Sequence, residues 1–322
     1  MNIKEFSDYV ADHIKDYLPE EYKNKEVRTW KQLKTNGQFY HALSLVLEKS
    51  GGIPVLYMEN YFGTYLQGQN RGESVTECME RVMNQIGEAF TNAICEAEQV
   101  FKELNDVSSW KNLKEYVLPV VVNYERNAEM LQYIPHEQFL DLAISYKLII
   151  EDVSAVVTNE VMKCWGVQKE ELHKSAMENL CKTVPRIQKL TDFLLPNVAV
   201  LMPELDLQLY MISNEECYFG AAMMLNQEVL DRVCNMIGEE CYVLPCSVHE
   251  ILAVPKGKHD LKELQSMVKE INTKSLEPEM YLSDNVYAYS RGRELAIGTS
   301  LQKDIQKTSG ISEEIWKGRV RK

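Results

Sequence analysis

The stretch LQLYMISNEECYFGAAMMLNQEVLDRVCNMIGEECYVLPCSVHEILAVP, Leu207 to Pro255, decides the fold class. Leu207–Ser213 and Tyr218–Leu225 read as strands joined by the short turn Asn214-Glu215-Glu216, because apolar and β-favouring residues flank a polar break. Asn226 is a helix N-cap residue, and the apolar positions that follow recur at helical spacing until Gly238, a helix stop. Cys241–Pro255 then returns as two short strands around the polar turn Pro245-Cys246-Ser247-Val248-His249-Glu250. Strands joined by tight turns and covered by a helix make an α+β protein, with a mixed or antiparallel sheet and packed helices.

Working outward, Ile3–Tyr17 reads as an amphipathic helix with Phe6, Val10, Ile14 and Leu18 near helical spacing. Glu26–Lys34 and Phe39–Leu47 flank Asn36-Gly37, the strongest short-range hairpin signal. Gly51-Gly52-Ile53-Pro54 breaks the pattern, and Val55–Gln67 is rich in aromatic residues. Ser74 caps a helix to about Leu104 with Met79, Val82, Met83, Ile86 and Phe90 on one face. Asn105–Asn112 is polar and marks a boundary between an N-terminal subdomain, residues 1–108, and a C-terminal one, residues 109–302. In the second, Val117–Tyr124 reads as a strand buried on both faces, and Pro135-His136-Glu137 as the start of a helix. Ser154–Thr158 reads as a strand, Asn159 as a cap and Lys169–Lys182 as a helix. Pro185–Pro203 has no clear pattern, Asp260–Ile271 reads as a helix and Glu277–Ser290 as an extended stretch. Residues 303–322 form a polar, basic tail.

Composition narrows the function. The 322 residues carry a formal charge of −13, and the tail from Lys303 contributes six basic and three acidic residues, leaving −16 on residues 1–302. Nucleic-acid binding needs an excess of Lys and Arg, so a protein partner is expected rather than nucleic acid. The longest apolar runs, Val117–Val122 and Leu194–Met202, are too short to cross a membrane. No secretory signal is visible after Met1, and the eight cysteines are scattered through apolar patterns, which suits reduced thiols in a cytosolic protein.

Four clusters could carry chemistry. Ser247, His249 and Glu250 are the candidate catalytic residues; strand alternation lets Ser247 and His249 meet while Glu250 points away. The competing reading is a structural histidine at a hairpin turn. Cys241, Cys246 and His249, with Cys217 and Cys234 nearby, lack the close Cys-x-x-Cys pairing of a structural zinc site, so no metal is expected. Asn123, Glu125, Arg126 and Asn127 leave the end of a buried strand and, with His136 and Asp141, are candidate binding residues. Ser283 and Asp284 are further candidates, ahead of an alternating stretch with Tyr287, Tyr289 and Arg291 that reads as an edge strand. No phosphate-binding glycine motif occurs, so no cofactor is expected.

Several of these blocks, taken together and in order, resemble a known family. They are Asn123-Tyr124-Glu125-Arg126-Asn127, Ile134-Pro135-His136, Phe139-Leu140-Asp141-Leu142-Ala143, Cys164-Trp165-Gly166-Val167, Gly220-Ala221-Ala222, Leu244 to Glu250, and Leu282-Ser283-Asp284. The set is similar to the bacterial domain of unknown function 5688, from about the Asn36-Gly37 hairpin to Ala296. The family pattern has Ser where this chain has Cys246, which puts a hydroxyl role there in doubt. The resemblance implies a bacterial cytoplasmic protein, with an association to integrative mobile elements and neighbouring anti-restriction genes. The leading expectation is therefore a binding, interaction or regulatory protein of an anti-defence kind. The alternative is an enzyme with its site at the Ser247-Val248-His249-Glu250 turn. Oligomeric state is not set by the sequence.

Overall fold

The computed structural model describes residues 1–47, 54–104, 109–151, 153–190, 208–238 and 240–298. The Gly51-Gly52-Ile53 break, residues 105–108, the apolar run Leu194–Met202 and the basic tail lie outside them. The chain divides into two compact units, one of Met1–Val117 with Lys147–Leu172, the other of Leu118–Tyr146 with residues from His173 onward.

The first unit begins with helix α1 (Ile3–His13), whose Asn2 side chain accepts from Glu5 N while Glu5 reaches back to Asn2 N. That reciprocal capping box satisfies two of the amides a helix start leaves open. The helix ends earlier than its periodicity suggested, and Ile14–Tyr17 tightens into a 3-10 turn. Strands β1 (Val27–Leu33) and β2 (Phe39–Leu45) form the expected hairpin, in register from Val27 opposite Leu45 to Leu33 opposite Phe39. Asn36 (φ 59°, ψ 33°) and Gly37 (φ 71°) both sit in the left-handed region, as the primed turn between twisted strands requires. Strand β3 (Val55–Tyr57) pairs with β2, giving the order β1-β2-β3.

Helices α2 (Met58–Asn70) and α3 (Val75–Leu104) follow, the latter capped by Ser74, whose Oγ accepts from Glu77 N at 3.2 Å. Phe6, Val10 and Ile14 of the N-terminal segment, Leu43 and Leu45 of β2, and Val82, Met83, Ile86 and Phe90 of α3 are buried together. Gly87 lets α3 approach the turn before it, because a Cβ there would collide with the Tyr17 carbonyl. The unit also holds α4 (Trp110–Leu113), strand β7 (Val153–Val156) and α6 (Asn159–Trp165), numbering elements along the chain. Thr158, one residue before the expected cap, provides the Oγ that accepts from Val161 N.

In the second unit, β4 (Val117–Asn123) is buried along nearly its whole length, as its apolar sequence implied. It neighbours β6 (Leu142–Ile150), which pairs with β5 (Glu137–Phe139). Pro135-His136-Glu137 therefore opens a hairpin, not a helix, and the only helical turn nearby is α5 (Ala128–Leu131). Its composition suits a helix start, but Gln138 opposite Ala143 and Glu137 opposite Ile144 give those amides ladder partners instead.

Six strands make the larger sheet: β8 (Pro185–Lys189), β9 (Tyr210–Asn214), β10 (Glu240–Pro245), β11 (Ile251–Pro255), β12 (Tyr287–Ser290) and β13 (Ala296–Ile297). All its pairings are antiparallel, in the order β13-β12-β10-β11-β9-β8. After α7 (Lys169–Lys182), α8 (Gln227–Ile237) starts on Asn226 and stops at Gly238, as the sequence indicated. Helix α9 (Leu261–Lys274) buries Leu261, Leu264 and Val268 against Tyr242, Leu244 and Val254. Cys241, on the alternate face of β10, meets Cys234 of α8, so helices cover both faces of that strand.

Two readings need correction here. Tyr218–Leu225 is not a strand; Gly220–Leu225 is a buried 3-10 segment. A short apolar run has no period that separates the two. Nor is the Tyr287–Tyr289 stretch an edge, since β12 lies between β10 and β13 and both tyrosines are buried. Among the described residues no helix is long and apolar enough to cross a membrane.

Candidate functional site

The turn between β10 and β11 is held by its own backbone. Ser247 N donates to Glu250 O (3.1 Å), and Val248 N donates to Met280 O (3.0 Å). The hydrogen bond joining the first two candidate catalytic residues runs from His249 N to Ser247 Oγ (3.0 Å), not from the ring. His249 Nδ1 accepts from Phe219 N (3.0 Å), and the His249 carbonyl accepts from Ser213 Oγ (2.8 Å). An accepting Nδ1 fixes the neutral tautomer with its proton on Nε2. The ring packs beside Tyr218 and Phe219, with centroids 5.7 and 5.3 Å away. Gly220 is required by this packing, since a Cβ would stand 2.7 Å from the His249 carbonyl and collide with Ser213 Oγ. Glu250 is half-buried after the turn.

Burial pushes the Cys246 thiol up to about 12, which keeps it protonated at neutral pH. Cys217 Sγ accepts from Arg186 Nη1 at 3.1 Å, and Cys234 and Cys241 face each other. Among the described residues no group of three or more His, Cys, Asp or Glu side chains is placed to hold a metal ion.

The other candidates gather around the segment Met280–Asn285. Asn123 Nδ2 donates to Leu282 O (3.0 Å), its Oδ1 accepts from Arg126 N (2.9 Å), and its carbonyl accepts from Asn127 Nδ2 (2.7 Å). The Arg126 guanidinium lies 3.4 Å from the centre of the Tyr281 ring, a cation–π stack at an exposed position. Asp141 is the hub. Its Oδ2 accepts from Ser283 Oγ (2.6 Å) and Asn285 Nδ2 (2.9 Å), and its Oδ1 from Tyr287 Oη (2.8 Å). Leu140, just before it, takes a left-handed φ of 57° in the two-residue turn closed by Phe139 opposite Leu142. The three donors on Asp141 hold that turn, which a leucine alone disfavours. Asp284 accepts from Asn272 Nδ2 (2.8 Å), while Glu125 is exposed. His136 Nδ1 lies 3.1 Å from the Ile134 carbonyl, with its ring beside Tyr124. The segment joins both clusters: Met280 binds the His249 turn and Ser283 binds Asp141. Polar groups within it are mostly spent on one another, which is the behaviour of a positioning frame.

Three features carry no signal in the sequence. Tyr146 Oη lies 2.9 Å from His173 Nδ1, and Glu137 Oε2 stands 3.7 Å from the same nitrogen. His41 Nδ1 and N both contact Glu59 Oε1, at 2.9 and 2.8 Å, while His41 Nε2 and Glu59 Oε2 are buried without hydrogen-bond partners. Residues 18 or 27 positions apart cannot be matched without the fold. The third feature is β1, which ends its sheet with Arg28, Thr29, Trp30 and Lys31 all exposed. Four consecutive exposed positions mean that both faces of this strand look outward.

The chain belongs to a family of unknown function (DUF5688), whose model matches residues 3–291. Neither the curated proteins nor the solved structures contain a match to it.

Proposed function

We propose that this protein is a binding protein that receives an extended, acidic segment of a protein partner along β1. The exposure of that edge carries the reading. An edge strand offers a row of unpaired amides and carbonyls, and a partner strand can add to it with side-chain pockets setting specificity. Trp30, 38% exposed, is the kind of large aromatic residue that anchors interfaces. Glu26–Lys34 has one acidic and three basic side chains, a local +2 in a chain of −13. Arg28 is bridged to Glu26 at 2.9 Å and Lys34 Nζ lies over the Tyr57 ring at 4.0 Å, so among the described residues Lys31 is the edge's open cation. A lysine at an edge rejects indiscriminate pairing, and a carboxylate on the incoming strand turns that rejection into selection. A regulatory role in a mobile element, as the family resemblance implies, is a natural setting for such binding.

Against the alternative, an enzyme built on His249 with Ser247 or Glu250, stand the backbone bonds that occupy His249 Nδ1 and Ser247 Oγ. A fluorescein-labelled eight-residue peptide alternating valine and glutamate tests the proposal by anisotropy. Saturable binding that weakens about tenfold in Lys31→Glu and in Trp30→Ala, a loss of roughly 1.4 kcal/mol, supports it. Absence of binding, or equal binding by Lys31→Glu or by a lysine-for-glutamate peptide, overturns it.

A further inference from the structure

We propose that Cys234 and Cys241 form a redox modification site, a dithiol that hydrogen peroxide converts to an intramolecular disulfide. Cys234 lies in the last turns of α8 and Cys241 is the second residue of β10, with Gly238 making the turn between them at φ 131°. Their sulfurs are 3.4 Å apart and both side chains are buried. A disulfide bond is about 2.05 Å long, so the two atoms need approach by only ~1.4 Å, within the reach of small χ1 changes. The other six cysteines have different surroundings: Cys95, Cys164 and Cys181 are exposed, Cys217 faces Arg186, Cys78 donates to Glu73, and Cys246 is half-buried in the turn after β10.

The pair is chemically asymmetric. The hydrogen bond between the two thiols holds Cys234 below its ordinary range, while the same bond and burial push Cys241 far up. The 3.4 Å separation lets one sulfur attack and the other resolve, and Cys234, the lowered thiol, is the better attacking thiolate. In the first step the Cys234 sulfur bonds to one peroxide oxygen, the O–O bond breaks, and hydroxide leaves and takes a proton to become water. A sulfenic acid remains on Cys234. In the second, the Cys241 sulfur bonds to the Cys234 sulfur, the S–O bond breaks, and the hydroxyl departs as a second water with the Cys241 proton. Two thiols lose two electrons in all, and one peroxide is reduced to two waters. The product ties the end of α8 to a strand flanked on both sides in its sheet, β10 between β11 and β12. Peroxide is close to water in size, whereas maleimides are not, so burial separates the pair from the surface thiols.

The experiment uses the full chain. Native protein is treated with hydrogen peroxide, quenched, denatured, alkylated with iodoacetamide and cleaved after glutamate, which separates Cys234 from Cys241 at Glu239-Glu240, for mass spectrometry. The expected result is a linked peptide containing Cys234 and Cys241, 2 Da lighter than the two reduced peptides. It reverts with dithiothreitol, and it is accompanied by a higher unfolding midpoint. Cys234→Ser abolishes the link and the midpoint shift, and leaves Cys241 alkylated. Oxidation of Cys95, Cys164 and Cys181 shows that the oxidant acted. If those react while Cys234 and Cys241 stay fully alkylated, the pair is core packing and the proposal fails. A link from either thiol to another cysteine overturns it equally.

Discussion

Asp141 shows how much one side chain can organise. It accepts from Ser283, Asn285 and Tyr287, and both Ser283 and Tyr287 are fully buried. Asp141→Ala strands those donors without an acceptor, and the expected cost is about 3 kcal/mol in urea denaturation. Tyr287→Phe, which removes one bond and keeps the ring, should cost only about 1 kcal/mol. Asp231 gives a pH prediction. Tyr289 Oη and Gly292 N donate to its carboxylate and hold it below the usual aspartate range. A carboxylate lowered on folding contributes stability in full above the unfolded value near 4, and that contribution disappears as pH falls through the lowered folded value. Asp231→Asn should therefore lower stability most at neutral pH and least in acid, where the aspartate is already protonated, so that the acid limb of a stability–pH curve below about pH 4 flattens. The sequence named both Asp141 and Ser283 among the candidates but not that they meet, because Asp141 and its donors lie 142 to 146 residues apart. Asp231 had no prominence there, because it lies on helix α8 and its partners come from strand β12 and the turn after that strand, 58 and 61 residues away.

At the scale of elements, local chemistry was the better guide. Asn36-Gly37, Asn226, Gly238 and Asp260 all do what their residue types suggest, since turns and caps are satisfied by neighbours a few positions away. Gly37→Ala should cost about 1 kcal/mol, because alanine pays for φ 71° that glycine adopts freely. Thermal unfolding of the single variant measures it. Where elements were misread, tertiary contacts had overruled composition. Pro135-His136-Glu137 has a helix-start composition, yet β6 supplies a ladder partner and the segment extends. Gly220–Leu225 is apolar enough for a strand, but Gly220 is pressed against the His249 carbonyl and the chain coils instead.

For the whole molecule, what the sequence determined by itself was the α+β class, the acidic balance, the family, and the blocks Asn123–Asn127, Asp141, Ser283 and the His249 turn as places of interest. These follow from properties that short windows or totals preserve: periodicity, capping chemistry, net charge. The tertiary structure alone decided which of those blocks meet. It placed Met280–Asn285 against both the His249 turn and Asp141, and it moved the Tyr287 strand from the supposed edge into the sheet interior. It also set Cys234 beside Cys241 and left β1 with an open side. Strand order and cross-chain hydrogen bonds depend on how faces are buried against one another, and a linear sequence does not encode that neighbourhood residue by residue.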